Sequence, residues 1–135
     1  MKGAGQNWNN DLPPARFIKM TTYNLKRDNS SDFFRFWRNN VKLQKSLGYT
    51  GASGVFMLES GGQAYQVMEV EGYNSHAEGK GAFKNSNVNY IEEYNKMFGW
   101  RSHRNDQAAF NASIEQWGII IETAELKPEM SSKLK

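Results

Sequence analysis

The chain has 135 residues, of which 39% are hydrophobic and 13% aromatic, and this composition is typical of one globular domain with one core. It contains no cysteine, which excludes disulfides, thiolate metal sites and a cysteine nucleophile. The net charge is +3, but 17 basic residues are interleaved with 14 acidic ones, so the charges indicate a solvated surface rather than a nucleic-acid partner.

No stretch approaches the roughly 20 consecutive apolar residues that a membrane helix needs. The first residues also lack the apolar region of a signal peptide. We therefore expect a soluble protein of the cytoplasm with no membrane partner, and a secreted mature form stays open as the alternative.

The first third of the chain predicts an arm, a strand and a helix. Residues 1–14 are rich in Gly, Asn and Pro and predict an N-terminal arm. Residues 16–26 are dense in β-branched and aromatic side chains and predict the first strand. Ser30 or Ser31 is suited to cap a helix, whose apolar residues recur at helical spacing up to Gly48.

The middle of the chain predicts a hairpin followed by a second clear helix. Residues 51–60 and 63–73 predict two antiparallel strands around a Gly-Gly pair that permits a tight turn. Residues 74–86 predict a short, glycine-interrupted helical segment. Ser86 or Asn87 is then suited to cap a helix that Gly99 ends.

The last third predicts one further short helix, a final strand and a tail. The helix is expected around residues 106–114 and the strand at 116–126, followed by a C-terminal tail at 127–135. The chain thus predicts a single α+β domain at 15–126. Its order β-α-β-β-α-β favours a ferredoxin-like four-stranded antiparallel sheet with both major helices on one face.

Alternation along each strand sorts the side chains into two predicted faces. The face expected beneath the helices is nearly all apolar and comprises Ile18, Met20, Met57, Met68, Val70, Ile119 and Ile121. The other face mixes aromatic, aliphatic and charged side chains, namely Phe17, Lys19, Thr21, Tyr23, Phe56, Leu58, Tyr65, Val67, Glu69, Tyr73, Ile120 and Glu122. Such a face is large for an exposed apolar patch, so we expect a second copy of the sheet to cover it in a homodimer.

Two carboxylates on the second face need an explanation. Glu69 and Glu122 are expected on the strands that flank the first strand, where Lys19 and Tyr23 are suitable partners. We expect them to line a partly polar cavity between two sheets. The alternative is that they form ordinary salt bridges at the wet rim of the sheet.

The element order, together with the stretch "QVMEVEGYNSHAEGKGAF" at 66–83, resembles the dimeric alpha/beta barrel proteins. These are typified by the antibiotic biosynthesis monooxygenases, with NIPSNAP and stress-responsive barrel proteins as relatives. The resemblance covers about residues 15–126 and implies a homodimeric α/β barrel. In some members it also implies cofactor-free oxygenation, polyketide cyclisation or haem breakdown inside the barrel, although no catalytic signature carries over residue by residue.

The expected function is binding of a small apolar or aromatic molecule in the cavity, without a cofactor. The candidate ligand-binding residues are Lys19, Tyr23, Phe56, Tyr65, Glu69, Trp117 and Glu122. One alternative is a cofactor-independent monooxygenase or cyclase-like enzyme, with His76, Tyr65 and Glu69 as candidate catalytic residues. A metal site is not expected, because "HAEGK" lacks the spacing that places two ligands on one helical face.

A second alternative is an RNA-binding sheet. Tyr23, Phe56 and Tyr65 are suitable for stacking on bases if they share the open face. The acidic residues Glu69 and Glu122 would repel phosphates, so nucleic-acid binding is disfavoured.

Overall fold

The computed structural model describes residues 15–49, 51–57, 65–75, 85 and 87–130. Two short 3-10 turns occur in this part, at Arg27–Asn29 and Pro128–Met130. The strands and α-helices run in the order β1 (Phe17–Asn24), α1 (Ser30–Ser46), β2 (Ala52–Met57), β3 (Gln66–Tyr73), α2 (Tyr90–Phe98), α3 (Ser102–Ala112) and β4 (Ile120–Glu125). The predicted Gly-Gly turn and most of the predicted segment at 74–86 lie outside the described residues.

The four strands form one antiparallel sheet in the order β2-β3-β1-β4. Strand β1 is flanked by β3 and β4, and β2 pairs with β3 on the other side. Three helices accompany this sheet. The structure therefore confirms the prediction of an α+β fold built on a four-stranded antiparallel sheet.

The helix ends differ from the prediction by a few residues. Helix α1 follows directly after a 3-10 turn, so Asn29 takes the cap position in place of Ser30 or Ser31. Helix α2 is capped by Asn89, whose side-chain oxygen accepts a hydrogen bond from the backbone N–H of Glu92 at 3.2 Å. Gly48 has the positive φ of 67° that the prediction required after α1.

The hydrophobic core lies between the sheet and the helices α1 and α3. Phe33 of α1 is fully buried, and its ring stacks on Phe110 of α3 with the centroids 4.8 Å apart. These helices pack over Val55 of β2 and Val67 of β3, which are both buried. The face that carries Val55 and Val67 is called the helix side below.

The predicted assignment of faces is wrong for the two central strands. Strand pairing places Lys19, Thr21 and Tyr23 of β1 beside Glu71, Glu69 and Val67 of β3, so all six lie on the helix side. The predicted core residues of these strands lie on the opposite face, called the open face below. It carries Ile18, Met20, Thr22, Phe56, Met68, Val70, Ile120 and Glu122.

In β2 and β4 the predicted faces were correct for the positions that lie in these strands. Met57 and Ile121 are on the helix side, as expected for the core, but both remain exposed, at 38% and 62%. Phe56, Ile120 and Glu122 are on the open face, as expected, but without the β1 and β3 residues that were grouped with them. The alternation of side chains within each strand was therefore predicted correctly. The prediction was wrong about which residues of β1 and β3 share a face with which residues of β2 and β4.

The physical reason lies in the aromatic side chains of the helices. Phe33, Trp37 and Phe110 pack together with Tyr23, Val55 and Val67, and this aromatic cluster selects the face that the helices cover. The set around Met20 was predicted as the core because it is nearly all apolar. Glu69 and Glu71 are tolerated beneath α1 because they border a cavity.

No helix in the described residues is long and apolar enough to cross a membrane.

Candidate functional site

A cavity of about 390 Å³ lies between α1 and the helix side of the sheet. Helix α1 forms one wall, the strands β1, β2 and β3 form the other, and α3 contributes Phe110 to the lining. The described lining residues are Tyr23, Phe36, Trp37, Asn40, Val41, Gln44, Tyr49, Ala52, Ser53, Glu69, Glu71 and Phe110.

The wall from α1 follows from helical spacing. Phe36, Asn40 and Gln44 are four residues apart, so they lie on one side of the helix and above one another. Trp37 and Val41 lie beside this row, also four residues apart. The wall is therefore aromatic and aliphatic towards Trp37 and carries amide groups along its other row.

The wall from the sheet contains both charged residues among the described lining residues. Glu69 and Glu71 are two residues apart on β3, and their side chains therefore point to the same face. Ser53 of β2 pairs with Glu71, which brings a hydroxyl beside the carboxylate. This wall of the cavity is acidic.

Tyr23 fixes one of these carboxylates. Its hydroxyl donates a hydrogen bond to Oε2 of Glu69 at 3.2 Å, across the β1–β3 pairing. Burial raises the pKa of Tyr23 above its ordinary value, and the negative charge of Glu69 raises it further. The phenol therefore stays protonated at neutral pH and remains a donor. The predicted partnership of Tyr23 with Glu69 is confirmed.

Glu71 is the more buried carboxylate, with 8% of the residue exposed. Removal of a carboxylate from water is costly unless hydrogen bonds or an opposite charge compensate for it. Lys19 of β1 lies directly opposite Glu71 in the strand register. The ammonium group of Lys19 and the carboxylate of Glu71 therefore lie on neighbouring strands and on the same side of the sheet.

The structure brings together only some of the predicted site residues. Tyr23 and Glu69 line the cavity, and Lys19 lies on the same side of the sheet. Phe56 and Glu122 lie on the open face instead. Tyr23 and Phe56 are thus on opposite faces of the sheet. They cannot both stack on bases of one RNA strand bound to the open face, as the alternative of an RNA-binding sheet required.

Two of the remaining candidate site residues, Tyr65 and Trp117, lie just before the strands β3 and β4. Tyr65 immediately precedes β3 with a φ of 62°, and its backbone carbonyl accepts a hydrogen bond from the N–H of Leu25 at 2.9 Å. It does not belong to the described lining of the cavity. Trp117 precedes β4 and is 56% exposed. His76 lies outside the described residues.

Several lining residues were not predicted as site residues. Trp37 packs against the core and also borders the cavity. Asn40 and Gln44 carried a usable signal, since amide side chains interrupt the apolar stripe of α1 where it faces the sheet. Glu71 was not named as a site residue, although alternation along β3 places it on the same face as Glu69.

A separate polar network joins the three helices beside the cavity. The hydroxyl of Tyr94 donates to Oδ2 of Asp106 at 2.8 Å, and the side-chain amide of Asn39 donates to the Tyr94 hydroxyl oxygen at 3.1 Å. Arg35 lies 3.5 Å from the other oxygen of Asp106. Tyr94 is fully buried, so this network holds α2 and α3 against α1.

The described residues contain no group of three or more histidine, aspartate or glutamate side chains placed to hold a metal ion. Comparison of the sequence with protein-family models gives no match, and comparison with curated proteins gives none either. Function is therefore argued from the cavity and from the faces of the sheet.

Proposed function

We propose that the protein binds a small organic molecule in the cavity between α1 and the sheet. The observation that carries this proposal is the combination of volume and lining. About 390 Å³ lies within the range of about 300–1,000 Å³ typical of ligand pockets. Its lining combines aromatic rings with several convergent polar groups, and convergent polar groups that orient a ligand are a feature of such pockets.

The walls favour an apolar or aromatic body for the ligand. Phe36, Trp37 and Phe110 present aromatic rings to the cavity, and rings of this kind pack against flat apolar groups. Gln44 and Ser53 supply polar atoms that can orient such a ligand.

Indole is a suitable neutral aromatic probe for this proposal. We expect it to shift the backbone NMR resonances of Ser53, Glu69 and Glu71 in a saturable manner. The variant Ser53→Phe places a large ring in the cavity and is expected to abolish these shifts. The control Phe56→Ala alters a residue of the same strand on the open face and is expected to leave them unchanged.

The proposal fails if indole shifts no resonance of the cavity residues. It also fails if Ser53→Phe, shown to be folded by circular dichroism, binds indole as the unmodified protein does.

We also propose that the subunit is ferredoxin-like and that two copies pack through the open face as a dimeric α/β barrel. The central position of β1 and β3, each joined through helices to an edge strand, supports the first part. The apolar side chains of Ile18, Met20 and Val70 on the open face support the second. In such a dimer Phe56 and Glu122 lie at the seam between the sheets.

Light scattering and analytical ultracentrifugation test the dimer. The change Val70→Lys places a charge in the middle of the open face and is expected to give a folded monomer. The control Met97→Lys changes an exposed residue of α2 and is expected to leave the dimer intact. A monomeric unmodified protein at micromolar concentration contradicts the proposal.

A further inference from the structure

We propose that the ligand of the cavity between α1 and the sheet is an organic cation, an aromatic or apolar molecule that carries a protonated amine. This inference rests on the proposed small-molecule function and specifies its ligand class. It is carried by the two carboxylates on one wall and by the aromatic rings on the facing side.

The carboxylates favour a positive charge because of where they lie. Glu69 and Glu71 are neighbours on the same face of β3, and both border the cavity. Charges interact more strongly where water is partly excluded than at an exposed surface, and Glu71 is 8% exposed. A ligand carboxylate or phosphate in the cavity would be repelled by both side chains.

The Tyr23 hydroxyl gives this acidic wall a defined geometry. Its hydrogen bond to Oε2 of Glu69 restrains the carboxylate at the edge of the cavity. Preorganised groups lose less conformational entropy when a ligand binds than mobile ones do. An ammonium group has three N–H donors, so it can donate one hydrogen bond to a carboxylate and another to the side-chain oxygen of Ser53 or Gln44.

The facing side supplies aromatic rings for the same cation or for the body that carries it. Trp37 and Phe36 of α1 and Phe110 of α3 border the cavity. Indole is the aromatic ring that attracts cations best, and the attraction increases when the cation is desolvated. Carboxylates on one wall and aromatic rings on the other are the combination that recognises organic amines.

The ammonium group of Lys19 competes with a cationic ligand for the carboxylates of the cavity. Lys19 lies opposite Glu71 in the strand register and on the same side of the sheet. If its ammonium group neutralises the acidic wall, the cavity has no preference for a cationic ligand. The experiment must therefore separate the charge of the ligand from its shape.

Tryptamine, tryptophol and indole-3-propionate share one aromatic ring system and carry a cationic, a neutral and an anionic side chain. Their affinities are measured by titration calorimetry, with NMR shifts of the cavity residues as the check on location. We expect tryptamine to bind at least about tenfold more tightly than tryptophol, as a charge-assisted hydrogen bond and a cation–π contact predict. We expect indole-3-propionate to bind most weakly.

Isosteric variants assign the effect to the carboxylates. Glu69→Gln and Glu71→Gln are each expected to reduce the preference for tryptamine over tryptophol to about threefold or less, while tryptophol affinity stays nearly constant. Glu122→Gln removes the same charge from the open face and is expected to change neither value. Lys19→Gln is expected to strengthen tryptamine binding.

The possible outcomes separate this inference from the proposed function. If all three compounds shift the cavity residues with equal affinity, the cavity binds aromatic molecules and the inference of a cation is overturned. If the preference for tryptamine survives in both glutamine variants, the carboxylates are not its cause and the inference is likewise overturned. If none of the three compounds shifts these residues, the proposed function fails together with the inference.

Discussion

The sharpest test of the fold compares two valines of one strand. Val67 has no exposed surface beneath the helices, whereas Val70 is only partly buried on the open face. Val67→Ala removes two buried methyl groups at about 0.8 kcal/mol each, and with the cavity that is left the loss reaches about 2–3 kcal/mol. At this chain length the melting temperature falls by about 4 °C per kcal/mol, so we expect a decrease of about 10 °C.

Val70→Ala is the matched control, and we expect it to lower the free energy of unfolding by about 1 kcal/mol or less because its side chain is already partly hydrated. Urea denaturation followed by circular dichroism measures both losses. The measurement is made at a protein concentration at which light scattering finds a monomer, so that an interface on the open face makes no contribution. A loss at Val70 equal to or larger than the loss at Val67 would mean that the helices cover the other face, and the assignment of faces would be refuted.

Three further predictions concern single residues. Gly118→Ala is expected to lower the stability by about 1–3 kcal/mol in thermal denaturation, because φ at this position is 67° and the added Cβ would lie 2.7 Å from Nδ2 of Asn24; an unchanged melting temperature would contradict it. Tyr94→Phe is expected to lower it by about 1–3 kcal/mol in urea denaturation, because the hydrogen bonds of the buried Tyr94 hydroxyl to Asp106 and Asn39 are lost; a loss below about 0.5 kcal/mol would show that the network does not brace the helices. The pKa of Tyr23 and that of Tyr94 are raised in the folded protein. The contribution of these two groups to the free energy of unfolding is therefore complete below the unfolded pKa of 10.0, and it is lost as the pH rises from 10.0 through the folded pKa. Ultraviolet titration of tyrosinate checks this, and normal ionisation of all six tyrosines in the folded protein would exclude it.

The order of strands and helices could be predicted because each element carries its own local signal. The β-branched and aromatic side chains of β1 predict a strand, and Gly48 and Gly99 end helices where the chain needs a positive φ. The pairing of Tyr23 with Glu69 also followed, since it requires only that β3 lies beside β1. These features depend on neighbours in sequence or on one strand pair.

The location of the cavity could not be predicted, because it depends on which layer covers which face. Both faces of β1 and β3 carry apolar side chains, so periodicity alone does not choose between them. The choice depends on how the rings of Phe33, Trp37 and Phe110 pack, which is a tertiary property. Glu69 was therefore expected in a cavity between two sheets, and it instead lies beneath helix α1 of its own chain.

The side chain of Asn24 has a consequence for how the sheet is aligned. Its Nδ2 donates to the backbone carbonyls of Trp117 and Gly118, both at 3.3 Å, and its Oδ1 accepts a hydrogen bond from Gln66 at 3.3 Å. Strand β4 arrives after two helices, so no tight turn sets its position along β1. A slip of one residue would turn every β4 side chain to the opposite face. The buried amide group of Asn24 therefore helps to fix the register of both β3 and β4 relative to β1. In sheets built from hairpins, the tight turns fix this register.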